Sequence, residues 1–320
     1  MAWRPEERDV RGSFDILVKI LGLFMRKVSL LIPAAALLLA APALAVSADL
    51  NRLFTDSRLV GSDRMSVEVI GSGPDVVLIP GLASSREVWR HTAERLRLHY
   101  RLHIVQVAGF AGEPARANAS GPVMVPTVSA ISSYIAAAKL NHPAIIGHSL
   151  GGLMALDLAA DHPELVGRVF VVDALPFYAE VFAGPSATVA AVKPMAAAIG
   201  AQMLAAPETA FAASAAKTAS AMASGTENQT RIAKWSGAST RQTLVTAMQE
   251  DLTTDLRPKI GSIEVPVTVI YESALKPLVD QDYAALKHGT FITEPAGVKH
   301  FVMYDDPKGF DKALDHFLAK

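Results

Sequence analysis

The pentapeptide Gly147-His148-Ser149-Leu150-Gly151 is where this chain could do chemistry. It follows the apolar run Pro143-Ala144-Ile145-Ile146 and precedes the helix-forming segment Gly152-Leu153-Met154-Ala155-Leu156-Asp157-Leu158. A G-x-S-x-G motif between a strand and a helix lifts the serine hydroxyl onto a sharp turn, exposed for attack on a carbonyl. Ser149 is therefore the candidate nucleophile. A serine hydroxyl is a weak nucleophile at neutral pH and needs a base, and the base needs an acid to orient it.

In this motif the chain order is serine, acid, histidine. Of the nine histidines, His300 stands after the last strand-like segment, at residues 289–294, in a loop that can fold over the strand ends. It is the candidate base. The acid stays open. Asp173 closes the strand-like run Val169-Phe170-Val171-Val172 and is the first candidate. Glu272 follows the next strand, at 265–271, and Asp280 and Asp282 lie a helical turn or more beyond it. The tetrahedral intermediate of acyl transfer needs two backbone N–H donors. Leu150, after the nucleophile, offers one. Leu82, in the turn Pro80-Gly81-Leu82 after the apolar strand 75–79, offers the other.

These groups need strands to end beside one another. Strand-like segments at 75–79, 101–107, 143–146, 169–172, 265–271 and 289–294 alternate with helical spacing at 87–98, 128–140 and 310–318. Nearly continuous apolar runs suit strands buried on both faces of a parallel sheet, and the alternation predicts an α/β fold with a mostly parallel, doubly wound sheet. Residues 175–257 break the rhythm: they are rich in Ala, Met, Thr and Ser and hold no convincing strand. They read as an inserted helical cap, with the core at 49–174 and 258–320. The Ala-rich stretch 205–223 is expected to be helical. In the cap, Phe177, Tyr178 and Phe182 are candidates to line a substrate site.

Composition bounds the rest. The chain has 320 residues, 51% of them apolar, and a formal charge of -1, which gives no reason to expect nucleic acid. It has no cysteine, which excludes disulfides and a thiol nucleophile. Met25-Arg26-Lys27, an apolar run at 28–39 and the small-residue sites Ala43-Leu44-Ala45 and Val46-Ser47-Ala48 have the parts of a secretory signal peptide. Residues 1–48 are thus expected to be a signal peptide with an upstream extension, translation starting at Met25. Alternatively they are an N-terminal anchor with Arg26 and Lys27 in the cytoplasm. Either way the domain leaves the cytoplasm, for the periplasm or the medium, or stays anchored on the membrane's outer side.

From about residue 58 to 320 the chain resembles the α/β-hydrolase superfamily, through Pro80-Gly81-Leu82, Gly147 to Gly151, and His300-Phe301. Pro80 stands where that family often has His. No Asp follows the strand at 265–271, and the stretch Arg168 to Ala174 resembles members that take the acid from the earlier strand. The resemblance implies a serine hydrolase that cleaves a small ester or lactone through an acyl-enzyme, without cofactor or metal. An acyltransferase or a cofactor-free perhydrolase would use the same site, and a non-catalytic binding protein would use the same fold.

Overall fold

The computed structural model describes residues 52–319; residues 1–48, expected to be a signal peptide or an anchor, lie outside them. Eight strands form one sheet: β1 (Arg58–Gly61), β2 (Met65–Gly71), β3 (Asp75–Ile79), β4 (Arg101–Val107), β5 (Ala144–His148), β6 (Arg168–Val172), β7 (Val267–Tyr271) and β8 (Gly289–Thr293). Their order is β1-β2-β4-β3-β5-β6-β7-β8. β1 and β2 pair antiparallel, as do β2 and β4, and the remaining pairs are parallel.

The central strands are apolar because both faces are covered. β3 shows it residue by residue: Val77 and Ile79 pack with the helices Met124–Ala137 and Leu150–Asp161, while Val76 and Leu78 pack with Arg90–Leu96 and Pro307–Leu318. Every residue of β5 and β7 is buried. Each such Val, Leu or Ile contributes about 1.5–3 kcal/mol relative to exposure. β8, at the sheet edge, alternates exposed and half-buried residues instead.

Five helices intervene between β6 and β7: Glu180–Ala183, Val189–Ala205, Glu208–Met222, Thr226–Ala238 and Arg241–Thr253. The four longer ones pack as two pairs, Val189–Ala205 on Arg241–Thr253 and Glu208–Met222 on Thr226–Ala238. The helix expected over 205–223 is interrupted at its start, where Ala206 and Pro207 are extended. Proline drives the residue before it out of the helical region, so one helix ends at Ala205 and another begins at Glu208.

Register decides what meets at the top of the sheet. β3 runs between β4 and β5, so successive connections leave it in opposite directions and open a crevice beyond the strand ends, where ligands of open α/β sheets bind. Ile79 pairs with Gly147 and His148 with Val172. The turn at 80–82, the Ser149 turn, Asp173 and Glu272 therefore all leave the sheet at this end.

Candidate active site

Ser149 sits at φ 54° and ψ -126°, a conformation that a residue with a side chain adopts only under strain. Its neighbours explain how the turn closes. A Cβ on Gly147 would lie 2.1 Å from the carbonyl oxygen of Gly151, and one on Gly151 would lie 2.4 Å from that of Ile79. Both are backbone contacts that cannot move aside, so both positions require glycine. The Ser149 amide donates to the Val172 carbonyl at 2.9 Å, which pins the turn to the end of β6.

Asp173 is the next residue out of β6, also at positive φ (51°). It is buried, and both its oxygens are engaged: Oδ2 lies 2.6 Å from His300 Nδ1, and Oδ1 accepts the Glu272 amide at 2.7 Å. A carboxylate can only accept here, so His300 Nδ1 carries the proton and Nε2 presents its lone pair. Burial depresses the His300 pKa, but the hydrogen bond and charge of Asp173, with the charges of Glu272 and Asp251, outweigh it, and the net shift is upward. No hydrogen bond joins Ser149 Oγ to His300 among the described residues. In free enzymes such contacts are often long and tighten when substrate binds.

The other candidate acids stand elsewhere. The Glu272 side chain makes no hydrogen bond with His300; burial, then the charge of Asp173, raises its pKa to about 7. Asp280 pairs with Lys276 one helical turn away, in solvent. Asp282 belongs to a cluster with Glu180 and Arg257, where burial and the Glu180 carboxylate raise its pKa.

The turn after β3 lies against the elbow. A Cβ on Gly81 would fall 3.0 Å from Ser149 Cβ and 2.9 Å from His148 Nδ1. The amides of Leu82 and Leu150 have no partner among the described residues. Leu150 also opens the helix Leu150–Asp161, whose N-terminus favours developing negative charge.

What His148 reaches was not legible in the sequence. Its Nε2 donates to the His300 carbonyl at 3.1 Å, and its ring packs 4.6 Å from that of Phe301. Burial, then the charge of His300, holds it neutral by lowering its pKa well below the usual range. The residue before the nucleophile thus anchors the loop that carries the candidate base.

A small cavity at Ser149 is lined by Leu153, Asp173, Ala174, Leu175, Tyr178 and Asp251, with about 10 Å³ free, room for about one water. Of the three cap aromatics considered, only Tyr178 lines it. Phe177 is a correction: it is fully buried among Ala179, Val192, Ala196 and Leu252, under the Arg257 guanidinium. Phe182 meets Tyr178 edge-on and does not line the cavity. Asp251 was missed, because in Gln249-Glu250-Asp251 it has the appearance of a solvated helix face. Among the described residues no group of three or more His, Cys, Asp or Glu is placed to hold a metal ion.

Residues 76–313 match the alpha/beta hydrolase family, and the chain belongs to it. A pimeloyl-[acyl-carrier protein] methyl ester esterase of Aeromonas salmonicida is 34% identical over 114 residues, 36% of this chain and 43% of that protein. The chain thus spans less than half the length of the curated relatives it matches. Among solved structures, a hydrolase from Pseudomonas aeruginosa is similar at TM-score 0.69, 19% identity, over 83% of this chain and 99% of the other. The enol-lactonase from Burkholderia xenovorans is similar at TM-score 0.65, 17% identity, over 80% and 96%. At these identities the structural likeness speaks for the fold.

Proposed function

We propose that this protein is an exported serine hydrolase that cleaves a carboxylic ester or lactone through an acyl-enzyme. The observation that carries it is the 2.6 Å contact of His300 Nδ1 with Asp173, at the strand ends where the strained elbow presents Ser149. The similar proteins named as a methyl ester esterase and an enol-lactonase support the choice of ester chemistry.

His300 Nε2 takes the proton as Ser149 Oγ bonds to the substrate carbonyl carbon. The carbonyl oxygen becomes an oxyanion between the Leu82 and Leu150 amides. When the intermediate collapses, the alcohol oxygen leaves with the proton from His300, and the acyl group stays on Ser149. Water then gives its proton to His300 and its oxygen to the acyl carbon. The acid is released and Ser149 recovers its proton. Asp173 holds the imidazole in the required tautomer and stabilises the imidazolium. The basic start at Met25-Arg26-Lys27, the apolar run and Ala43-Leu44-Ala45 support export.

The test has two arms. A fluorophosphonate probe should label Ser149 in the mature protein, and a panel of chromogenic esters and lactones should be turned over. Turnover without labelling at Ser149, or no turnover at all, refutes the proposal. N-terminal sequencing of material from outside the cytoplasm should begin near Val46 or Asp49; intact residues 1–45 in a membrane fraction would mean an anchor instead.

A further inference from the structure

Asp251 is the group at this site that the mechanism leaves unused. It lies on the helix Arg241–Thr253 and lines the cavity with Ser149 and Tyr178. It is 7% exposed, so more than nine-tenths buried, and its carboxyl makes no hydrogen bond or ion pair among the described residues. No lysine or arginine lines the cavity. The Tyr178 hydroxyl is unpartnered too. Asp251 does nothing for its own helix: it stands in the last turn, where negative charge is unfavourable. A buried carboxyl without a partner is destabilising, so a partner from the substrate is worth more here than at a solvated position.

The side of the substrate follows from the reaction. His300 must face the leaving oxygen, and it does not line this cavity. The acyl side is left to face it, and with room for about one water the cavity takes a single polar atom of the acyl group in that water's place, not its chain.

We propose that Asp251, with the Tyr178 hydroxyl, is a specificity-determining subsite that selects esters whose acyl group carries a hydrogen-bond donor near the carbonyl, a hydroxyl or a protonated amine. This rests on the ester-hydrolase reading above. A donor satisfies the buried carboxyl; a plain alkyl chain covers it and leaves it unpaired; an acyl carboxylate meets it with like charge. Sites built to hydrogen-bond a substrate group reject analogues that lack it far better than apolar pockets sort chain lengths. Burial raises the Asp251 pKa to about 7, against the opposing charge of His300, so near neutral pH the carboxyl can meet either donor, hydroxyl or ammonium.

The test compares kcat/KM for the p-nitrophenyl esters of butyrate, β-hydroxybutyrate, β-aminobutyrate and succinate in wild type, Asp251→Leu and Asp251→Asn. Fluorophosphonate titration normalises the active fraction, and thermal unfolding checks folding. Wild type should prefer at least one donor-bearing ester over butyrate by roughly tenfold to a hundredfold, with succinate poorest. Asp251→Leu should abolish the preference and relieve the bias against succinate. Asp251→Asn should lose the amino ester but keep part of the hydroxy ester, since an amide oxygen still accepts; this decides the case if the leucine variant does not fold. Turnover without preference in wild type overturns the subsite, as does a preference that survives in Asp251→Leu, or a proportional loss for all four esters. No turnover of any ester, butyrate included, overturns the hydrolase reading and the subsite with it.

Discussion

Asp173→Asn separates orientation from mere presence of a polar group. The aspartate uses both oxygens as acceptors, one for His300 Nδ1 and one for the Glu272 amide. Asparagine has one acceptor. If its oxygen stays on the Glu272 amide, its NH2 faces His300 Nδ1, and the imidazole must carry its proton on Nε2, where it cannot accept one from Ser149. If the oxygen turns to His300, two donors face each other at Glu272, and a buried amide goes unpaired at about 1–3 kcal/mol. The first arrangement is the cheaper, so the wrong tautomer dominates. Loss of the orienting carboxylate in a serine triad lowers kcat by about 10⁴, which is about 5.5 kcal/mol of barrier. The assay is kcat on a chromogenic ester, normalised by active-site titration, with thermal unfolding run in parallel. Glu272→Gln should lose less than tenfold, because its side chain makes no bond to the imidazole. A crippled Glu272→Gln beside a nearly wild-type Asp173→Asn would refute this assignment, and full activity in both would mean that His300 needs no carboxylate.

Three further outcomes follow from the same geometry. Ser149→Ala should abolish ester hydrolysis and leave the melting temperature unchanged, whereas Ser149→Gly should abolish it and raise stability by about 1–3 kcal/mol by relieving the positive φ; retained turnover in either variant would dislodge Ser149 as nucleophile. His300 must be neutral to accept a proton and its pKa is raised, so the acid limb of kcat/KM should lie above pH 6.5; Asp173→Asn should move it down, since it removes the hydrogen bond and charge that most oppose burial, and an unmoved limb would mean another group sets it. Asp251, Glu272 and Glu294 have folded-state pKa values raised to about 7, chiefly by burial; the folded state therefore binds more protons than the unfolded state from their ordinary values, 3.8 to 4.5, up to about 7, and that stability is lost as pH rises. Melting temperatures taken from pH 5 to 8 should fall, Asp251→Asn should flatten the fall, and a rise would contradict it.

What the sequence determined by itself is local and periodic. The run 75–79 marks a buried strand because mostly apolar side chains suit cover on both faces, and β3 begins and ends at those residues; β4 matches 101–107 as well, though it buries His103 and Gln106, both hydrogen-bonded. G-x-S-x-G marks the elbow because its glycines meet backbone atoms at contact distance, a demand that leaves one residue type possible. Order along the chain then narrowed nine histidines to His300. Tertiary structure decided whatever depends on which side chains converge from distant elements. Asp173, Glu272, Asp280 and Asp282 are alike as residue types near strand ends; only the register of β6 against β7, with the His300 loop folded over it, puts one of them 2.6 Å from the imidazole. In the cap, Phe177 and Tyr178 are adjacent in sequence, yet one packs inside and the other lines the cavity. Asp251 reads as one more charge on a helix face until that helix is laid over Ser149, because burial is a property of the packed partners and not of the residue.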